Sequence, residues 1–324
     1  MENEITKKLQ QVVNGKVLED EQLSKHLVFR VGGPAKWFVE IKSVDELVGV
    51  LDIANNEKLN WFVIGGGSNA IASDQGFDGI IIKIGLMGVE INNNKITVGS
   101  GLPTVALARQ ASDAGLSGIE WMASLPGTIG GAIRGNAGCF GGETRDHLSA
   151  VVVLREGKII RIKSEDLLFD YRHSSFKDKY FRDVIIEAEF ELEQADPSVI
   201  KEKIAYILSK RAESQPLACG TAGCTFKNYK IDNEEEKQRL YGFADIPREM
   251  IDSGAISAGL LIDSLDLKGT KIGGARVSEV HANFIINDGT ATADDIVQLI
   301  SLVKTRVRDA YNIQLEEEIE YIGF

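Results

Sequence analysis

The sequence predicts a protein of the α+β class with two domains. Three observations support this: a length of 324 residues, a mixture of helical and strand-like hydrophobic spacing, and glycines gathered in particular loops. At about 150 residues per domain the length favours two domains, although one large α/β unit is also compatible with it. The 33 glycines cluster at 65–67, 127–142 and 269–274 without a collagen repeat, so we expect loops in which the backbone closely approaches something.

The charge balance and the cysteines restrict the class of partner. The 48 acidic and 36 basic side chains give a net charge of −12, which repels nucleic-acid phosphates and anionic membranes. The spacing of Cys139, Cys219 and Cys224 is not typical of a metal or redox motif and favours a reducing compartment over a disulfide framework. No signal peptide or apolar run of roughly 18 residues is evident. We therefore expect a soluble cytoplasmic protein without a metal.

Hydrophobic spacing predicts the elements of the first part of the chain. A helix is predicted over 44–56 with Ser43 as its cap, followed by a strand over 61–64. The glycine-rich segment 126–142 is unsuited to an ordinary helix, so we expect a helix to start there behind a backbone cradle. The other predicted elements are a strand at 79–84, hairpins around 92–94 and 156–158, a helix within 103–116 and a strand at 184–193.

Two long helices are predicted in the later part of the chain. The first opens at 196–197 and ends near Arg211, because its apolar residues share one face. The second begins with capping-box spacing at 292–295. The charge-dense segment 231–240 is expected to be a solvated surface helix, and a strand is expected within 315–324.

The first glycine loop, GGGSNA at 65–70, directly follows a predicted strand. It formally matches the Gly-x-Gly-x-x-Gly/Ala pattern of dinucleotide-binding folds. A Rossmann site also needs a helix after the loop and an acidic residue about 20 residues later, whereas turn residues and a strand containing Lys83 follow here. The motif therefore favours a nest of backbone amides suited to a pyrophosphate, with Ser68 and Asn69 beside it, over a plain tight turn.

A second glycine loop spans 126–138. Its glycine density lets a flat ligand lie against the backbone, and Thr128 and Asn136 can supply hydrogen bonds. Close helix packing is the alternative, although it is more typical of a lone Gly-x-x-Gly. Two loops on separate segments predict a long ligand such as a dinucleotide. The residues predicted to bind it are Gly65, Gly66, Gly67, Ser68, Asn69, Pro126, Gly127, Thr128, Ile129, Gly130 and Asn136.

Four further residues have both a functional and a structural interpretation. Arg172, in the basic segment 171–177, is suited to binding a carboxylate, but a solvated basic loop is equally compatible. Cys224 is a candidate proton donor or nucleophile, although a cysteine among small residues is more often a buried apolar side chain. Periodicity places Glu318 on the surface, and His281 is more often structural than catalytic.

Six motifs, taken together and in order, resemble the UDP-N-acetylenolpyruvoylglucosamine reductase (MurB) family of peptidoglycan precursor synthesis, in its shorter type II-like subtype. The motifs are FRVGGPA at 29–35, VIGGGSNA at 63–70, GIEWMASLPGTIGGAIRGNAG at 118–138, YRHSSFK at 171–177, AGCTFKN at 222–228 and KGTKIGGARVSEVHANFIIN at 268–287. The resemblance covers the chain from about residue 20 to 324.

The resemblance implies a specific domain organisation. An FAD-binding module of the vanillyl-alcohol-oxidase (PCMH) type is expected over 1–197, in two lobes of about 1–84 and 85–197. A smaller α/β substrate-binding domain is expected over 198–312. The last segment, 313–324, is expected to return to the FAD module as a strand.

The resemblance also implies an activity, the NADPH-dependent reduction of UDP-N-acetylglucosamine enolpyruvate through non-covalent FAD. Arg172 and Glu318 are then expected to face the substrate carboxylate and stabilise its developing charge. Cys224, where the family usually has serine, is expected to deliver a proton. The residues expected to bind the UDP-sugar are Tyr171, Arg211, Asn228, Lys268 and His281. No nucleic acid, membrane or obligate protein partner is expected.

Two alternatives and two departures accompany this resemblance. A sugar or lactone oxidase of the same fold is one alternative, but His147 and His173, the histidines near the glycine loops, lie in no flavin-tethering motif. A non-catalytic nucleotide-binding protein is the other. Tyr229 stands where proline is common, and the acidic insertion at 231–250 has no family role.

Overall fold

A computed structural model describes residues 2–216 and 219–324 and divides them into two units. The first unit comprises 2–21, 34–67 and 77–213, and the second comprises 22–33, 68–76, 214–216 and 219–324. The long boundary therefore falls after residue 213 and not after 197 as predicted. The reason is packing, because Ile207 of the intervening helix belongs to a hydrophobic core of the first unit.

The helices are mostly those that the sequence predicted. Within the described residues they are α1 (Glu2–Val12), α2 (Val44–Asn56), α3 (Thr104–Asp113), α4 (Ile129–Arg134), α5 (Pro197–Ser214), α6 (Glu234–Leu240), α7 (Arg248–Ser253), α8 (Ala258–Asp263) and α9 (Ala293–Tyr311). The predicted cap of α2 is confirmed, since the Ser43 hydroxyl accepts a hydrogen bond from the Glu46 amide at 3.2 Å. The capping box of α9 is also confirmed, with Thr292 and Asp295 each accepting from the other's backbone amide at 3.0 Å.

The strands range from two to eight residues. They are β1 (Val17–Gln22), β2 (Pro34–Ile41), β3 (Asn60–Ile64), β4 (Ala70–Ala72), β5 (Phe77–Ile84), β6 (Val89–Asn92), β7 (Lys95–Gly99), β8 (Leu116–Ser117), β9 (Gly138–Cys139), β10 (Gly142–Glu143), β11 (Leu148–Arg155), β12 (Lys158–Lys163), β13 (Phe169–Asp170), β14 (His173–Ser174), β15 (Val184–Glu191), β16 (Glu193–Gln194), β17 (Tyr229–Lys230), β18 (Ala255–Ile256), β19 (Lys271–Ile272), β20 (Ala275–Val277), β21 (Ile285–Asn287) and β22 (Glu320–Ile322). The predicted hairpins β6–β7 and β11–β12 are confirmed by their antiparallel pairing.

Among the described residues, the first unit contains one four-stranded and one five-stranded sheet, beside three two-stranded pairings. One sheet has the order β1-β2-β5-β3, with β2 and β3 both parallel to β5. The other has the order β12-β11-β15-β7-β6 and is antiparallel through its described pairs. Side chains such as Val39 and Ile82 fill the first core, and Val151 and Phe190 fill the second. The first unit therefore holds two separate hydrophobic cores, and the division into two lobes stays a prediction.

The second unit is built around α9. The residues predicted to share one face of this helix are buried in its core; they are Ile296, Leu299, Ile300, Val303 and Val307. Strands β19, β20 and β21 form an antiparallel sheet, and β22 pairs in parallel with β4, with Glu320 opposite Ala70. The C-terminal strand was expected to return to the FAD module. Its partner β4 lies within the predicted module of 1–197, and both strands belong to the second unit, whose core contains Ile71 of β4.

Candidate active site

The two predicted glycine loops meet within the first unit. A Cβ atom at Gly66 would lie 2.9 Å from the Cα of Gly127, and one at Gly65 would overlap the Thr128 hydroxyl. Gly127 also has a φ of +123°, which side chains rarely adopt. The structure therefore brings together two backbone segments that are far apart in the sequence, and their glycines make the approach possible.

The hydrogen bonds of neighbouring strands and loops hold this glycine cradle. The first loop directly follows the C-terminal end of strand β3. The second loop is fixed by the Ile129 amide, which donates to the Leu102 carbonyl at 3.0 Å, and by the Gly130 amide, which donates to the Ser100 carbonyl at 2.8 Å. The first loop continues into strand β4 and not into a helix, which confirms that this is not a Rossmann site.

A cavity of about 630 Å³ in the first unit is lined by Gly65, Thr128 and Gly130 of the cradle. Its wall also includes the aromatic side chains Trp61, Phe62, Phe176 and Phe181 and the cation Arg134. Ligand sites of this size typically combine an apolar wall with a few polar groups. The lining thus combines glycine backbone with no room for a Cβ, aromatic faces and a positive charge. A dinucleotide such as FAD fits this lining, because its pyrophosphate is anionic and its rings are planar.

Sequence reasoning missed Arg134 as a lining residue. It lies at the last position of α4 and inside the second glycine motif, and its guanidinium donates a hydrogen bond to the Phe176 carbonyl. A cation within a glycine-rich segment of an acidic protein was the available signal. The aromatic residues carried no comparable signal, because their strands bring them to the cavity only in the folded chain.

Asn136 has a different position from the one predicted. Its side chain is 0% exposed, and its amide donates to Glu143 Oε2 at 2.8 Å and to the Asp170 carbonyl at 3.0 Å. Its Oδ1 accepts from the Arg145 amide at 3.2 Å. The prediction that this side chain contacts the cofactor is therefore wrong, because the protein itself uses both amide hydrogens and leaves no surface for a ligand.

Arg172 and Tyr171 form the two-residue tip of the β13–β14 hairpin. Arg172 has a φ of +55°, an uncommon conformation for a residue other than glycine. Its Nη2 donates to the Gly138 carbonyl at 2.7 Å, and its guanidinium lies 5.2 Å from the centre of the Tyr171 ring. The predicted carboxylate-binding arginine is therefore held in place by the protein and is not part of a loosely solvated loop.

A second arginine, Arg211 at the end of α5, shares this neighbourhood of the first unit. Burial raises the pKa of the Cys139 thiol, and the positive charges of Arg211 and Arg172 both act against that rise. The Cys139 sulfur lies 3.5 Å from the Ser124 hydroxyl. The structure thus brings together Arg172 and one of the residues expected to bind the UDP-sugar.

Cys224 and Glu318 lie on adjoining segments of the second unit. The Glu318 amide donates to the Thr225 carbonyl at 2.9 Å, directly after Cys224 in the chain. The Glu318 carbonyl accepts from the side-chain amide of Asn69 at 3.0 Å. Glu318 therefore connects two segments, one carrying the candidate proton donor and the other continuing from the first glycine loop. It precedes strand β22, which begins only at Glu320.

Three of the five residues expected to bind the UDP-sugar lie in the second unit. Lys268 donates to Asp263 at 2.8 Å, and it lies close enough to His281 to affect its titration. Burial, followed by the positive charge of Lys268, lowers the pKa of His281, which favours the neutral imidazole. Asn228 Oδ1 accepts a hydrogen bond from the Ala258 amide at 3.3 Å. Lys268 and His281 therefore lie within electrostatic range of each other in the second unit.

The acidic insertion is tied to the rest of the second unit by its side chains. The Tyr229 hydroxyl donates to Glu236 of α6, and burial together with this carboxylate raises the pKa of Tyr229. Arg239 lies 3.3 Å from Glu236 and also donates to the Tyr311 carbonyl at the end of α9. Tyr229, which departs from the family pattern, therefore anchors the predicted surface helix.

Two kinds of feature are absent from the part of the chain that the structure describes, a membrane-spanning helix and a metal-binding cluster. There, no helix is long and apolar enough to cross a membrane, and no group of three or more histidine, cysteine, aspartate or glutamate side chains could hold a metal ion.

Two family models match the chain. The model described as UDP-N-acetylenolpyruvoylglucosamine reductase, C-terminal domain, matches residues 215–322, and the model described as FAD binding domain matches residues 35–163. Together they correspond to most of the second unit and to much of the first. They confirm the predicted FAD-binding fold class and cofactor.

Named relatives match nearly the whole chain. The UDP-N-acetylenolpyruvoylglucosamine reductase of Bacillus subtilis (strain 168) is 36% identical over 312 residues, which is 95% of each chain. The protein of the same name from Synechococcus sp. (strain WH7803) is 37% identical over 93% of this chain and 92% of its own length. The crystal structure of the MurB reductase from Thermus caldophilus is 29% identical, with a TM-score of 0.75 over 95% of this chain and 99% of that one.

These similarities confirm the predicted family and favour a reductase over the oxidase and binding-only alternatives. The match covers 95% of the chain, and the C-terminal family model spans Cys224 and Glu318. The chain therefore belongs to the UDP-N-acetylenolpyruvoylglucosamine reductase family and is an FAD-dependent, NADPH-consuming oxidoreductase of peptidoglycan precursor synthesis.

Proposed function

We propose that this chain reduces UDP-N-acetylglucosamine enolpyruvate to UDP-N-acetylmuramate in the cytoplasm, with the residue roles given below. The observation that carries these roles is the position of Glu318. Its backbone bonds both to Thr225, beside Cys224, and to Asn69, at the end of the first glycine loop. The segments that carry Glu318, Cys224 and Asn69 are thus joined by hydrogen bonds within the second unit.

The glycine cradle holds the cofactor by its backbone. When bound there, FAD would supply the chemistry of hydride transfer from NADPH to the enolpyruvyl group of the substrate. Gly65, Gly66, Gly67, Gly127 and Gly130 contribute backbone at which no side chain blocks the approach of a pyrophosphate. The exposed Pro126 and the buried Ile129 shape the second loop, and Thr128 lines the cavity beside it.

The charged side chains stabilise the reacting carboxylate. Hydride addition to the terminal carbon leaves negative charge that spreads into the neighbouring carboxylate, and a positioned cation lowers the energy of that state. Arg172 supplies this cation, and Glu318, in its protonated form, donates a hydrogen bond to the same group. Both act as catalytic residues because they touch the reacting part of the substrate.

Cys224 completes the reaction by donating a proton to the carbon that bears the carboxylate. A thiol is a moderately strong acid compared with a hydroxyl, which suits it to donate a proton. The family usually has serine here, whose hydroxyl is a much weaker acid. The thiol therefore performs the same transfer with a more acidic group.

The residues that we propose to bind the UDP-sugar are Tyr171, Arg211, Asn228, Lys268 and His281. Lys268 faces the diphosphate as a positive charge, and the neutral His281 beside it offers a hydrogen bond without adding a second charge. Asn228 hydrogen-bonds the sugar or the base, while Arg211 and Tyr171 contact the substrate from the first unit. These roles use residues that the sequence motifs bring to family positions.

The test is NADPH oxidation by the purified yellow protein with and without the enolpyruvyl substrate. We expect substrate to accelerate NADPH consumption strongly, and Arg172→Lys and Glu318→Gln to lower that acceleration while NADPH still reduces the flavin. Lys177→Gln, a change in the same basic segment, serves as the control and is expected to retain turnover. Substrate-independent oxygen consumption would indicate an oxidase, and a protein without flavin would indicate a binding-only function.

A further inference from the structure

The hydrogen bonds around Asn136 and Arg172 form a closed connection within the first unit. The Asn136 amide donates to the Asp170 carbonyl at 3.0 Å, two residues before Arg172. The Arg172 guanidinium donates to the Gly138 carbonyl at 2.7 Å, two residues after Asn136. The segment that carries Asn136 and the segment that carries Arg172 therefore hold each other beside these two side chains.

The surroundings of Asn136 require a carboxamide. Two acceptors, Glu143 Oε2 and the Asp170 carbonyl, and one donor, the Arg145 amide, face its three polar positions. A carboxamide offers two donor hydrogens and an acceptor oxygen, which matches this set. An aspartate would place a second carboxylate against Glu143. The backbone φ of +40° also favours asparagine, which adopts this region more readily than most residues.

Further bonds fix the hairpin that carries Arg172 to the same segments. Arg145 Nη1 donates to the Phe169 carbonyl at 3.2 Å, and its Nε lies 2.5 Å from Glu143 Oε1. On the other strand, the Ser174 hydroxyl donates to the Arg134 carbonyl at 2.7 Å. The β13–β14 hairpin is therefore anchored on both strands, and Asn136 bonds to the strand that leads into the Arg172 turn.

We infer that Asn136 is a positioning residue that sets the place of the Arg172 guanidinium. This inference rests on the proposed function, in which Arg172 binds the substrate carboxylate. Asn136 itself touches neither cofactor nor substrate, because its side chain is 0% exposed. It acts by holding the Asp170 end of the hairpin at the distance at which Arg172 reaches Gly138. A displacement of about 1 Å in such a group lowers turnover by roughly 100-fold.

The first test combines Asn136→Gly with Arg172→Ala in the FAD-loaded enzyme. Glycine keeps the positive φ accessible and removes the amide, so the backbone is spared. We expect Asn136→Gly to lower kcat for substrate reduction by roughly 100-fold, with unchanged FAD content and unchanged reduction of the flavin by NADPH. In the Arg172→Ala background the same change should lower kcat by less than about twofold, because the two residues act as one unit.

Two results would overturn the inference. Loss of FAD from the Asn136→Gly protein would return Asn136 to the cofactor site, and a full multiplicative loss in the Arg172→Ala background would show that it acts independently of Arg172. These failures differ from a failure of the proposed function, in which Arg172→Ala itself would leave substrate reduction unchanged.

A second pair of variants keeps the test decisive if Asn136→Gly does not fold. Asn136→Asp should lower kcat because it sets two carboxylates against each other. Glu143→Gln in the same chain reverses donor and acceptor across the 2.8 Å contact. We expect the double variant to recover at least about tenfold of the lost kcat, with Glu143→Gln alone as the control. No recovery, with both proteins folded and flavin-loaded, would contradict the inference.

Discussion

The two units build their candidate sites from different materials. In the first, the cradle is backbone, since the approach of Gly66 to Gly127 depends on two absent side chains. In the second, the candidate groups are the side chains of Cys224, Glu318 and His281. The segment of Glu318 is held by a hydrogen bond to Asn69, 249 residues away in the chain. A backbone site is therefore visible in the sequence as glycine density, whereas a side-chain site depends on long-range pairing.

The largest effect that distinguishes the units is expected from Cys224→Ala. Removing the proton donor should lower turnover by about 10²- to 10⁴-fold, because general acid catalysis contributes that much. Reduction of the flavin by NADPH should be unchanged, since that step needs only the cradle and the cofactor. Stopped-flow absorbance of the flavin, with and without substrate, measures the two steps separately.

Two variants control this prediction. Cys224→Ser restores a hydroxyl, the group the family usually has, and should keep substantial turnover. Cys219→Ala changes another partly exposed cysteine of the second unit and should keep full turnover. Normal turnover in Cys224→Ala would remove the thiol from the mechanism and leave the second unit without a side-chain proton donor.

The backbone character of the first unit is tested by Gly66→Ala. Its Cβ would lie 2.9 Å from the Gly127 Cα, so the two loops must separate, at an expected cost of about 3 kcal/mol in the free energy of unfolding. We also expect weakened retention of FAD, measured as the flavin-to-protein absorbance ratio after gel filtration. Gly88→Ala is the matched control, because no atom lies within 4 Å of its Cβ position. Equal FAD retention in both variants would contradict the cradle.

The side-chain character of the second unit is tested by Asn283→Ala. The buried Asn283 side chain accepts from the Phe226 amide at 3.0 Å and donates to the Phe226 carbonyl at 2.8 Å. Leaving these backbone groups unpaired should lower the free energy of unfolding by about 2 kcal/mol, measured by urea denaturation. Turnover should fall as well, since Phe226, which Asn283 holds, lies two residues after Cys224 in the chain. Asn94→Ala removes an exposed hydrogen bond and should change stability little.

The smallest expected effect is a pH dependence carried by His281. Its pKa in the folded protein is lower than its ordinary value of 6.5, so the unfolded chain binds more protons near that pH. Stability is therefore fully present above pH 6.5 and falls as the pH drops through the folded pKa. His281→Gln should flatten this part of the stability curve between about pH 7.5 and 5.5. Identical slopes for the variant and the parent protein would refute the prediction.

Local signals made much of the fold predictable. The Ser43 cap of α2 and the capping box of α9 depend on residues three positions apart, so the sequence contains the whole interaction. The division into units was less accessible. Helix α5 belongs to the first unit through the packing of Ile207, and β4 belongs to the second through its pairing with β22. Neither contact leaves a local trace in the sequence.

In the candidate site too, local signals made some features predictable, whereas features that depend on the folded chain were not. The glycine loops were recognised as a cradle because glycine is the residue that lets backbone approach backbone, as at Gly65 and Gly66. Asn136 was misinterpreted, since an amide beside a glycine loop looks the same in the sequence whether it faces a ligand or the protein. Arg134 was overlooked because a single cation has no pattern, and its place on the cavity wall follows only from the fold.

The parallel pairing of β4 with β22 has a consequence for biosynthesis. At roughly 5–20 residues per second, a ribosome makes the Glu318 segment on the order of tens of seconds after Asn69. Until then Phe29, Val31 and Ile71 lack core partners that are encoded much later. The first unit has all of its chain by residue 213, so it can fold and take up cofactor while the second is still being translated. Because of the order of the segments along the chain, we therefore expect the first unit to take up cofactor before the second unit is complete.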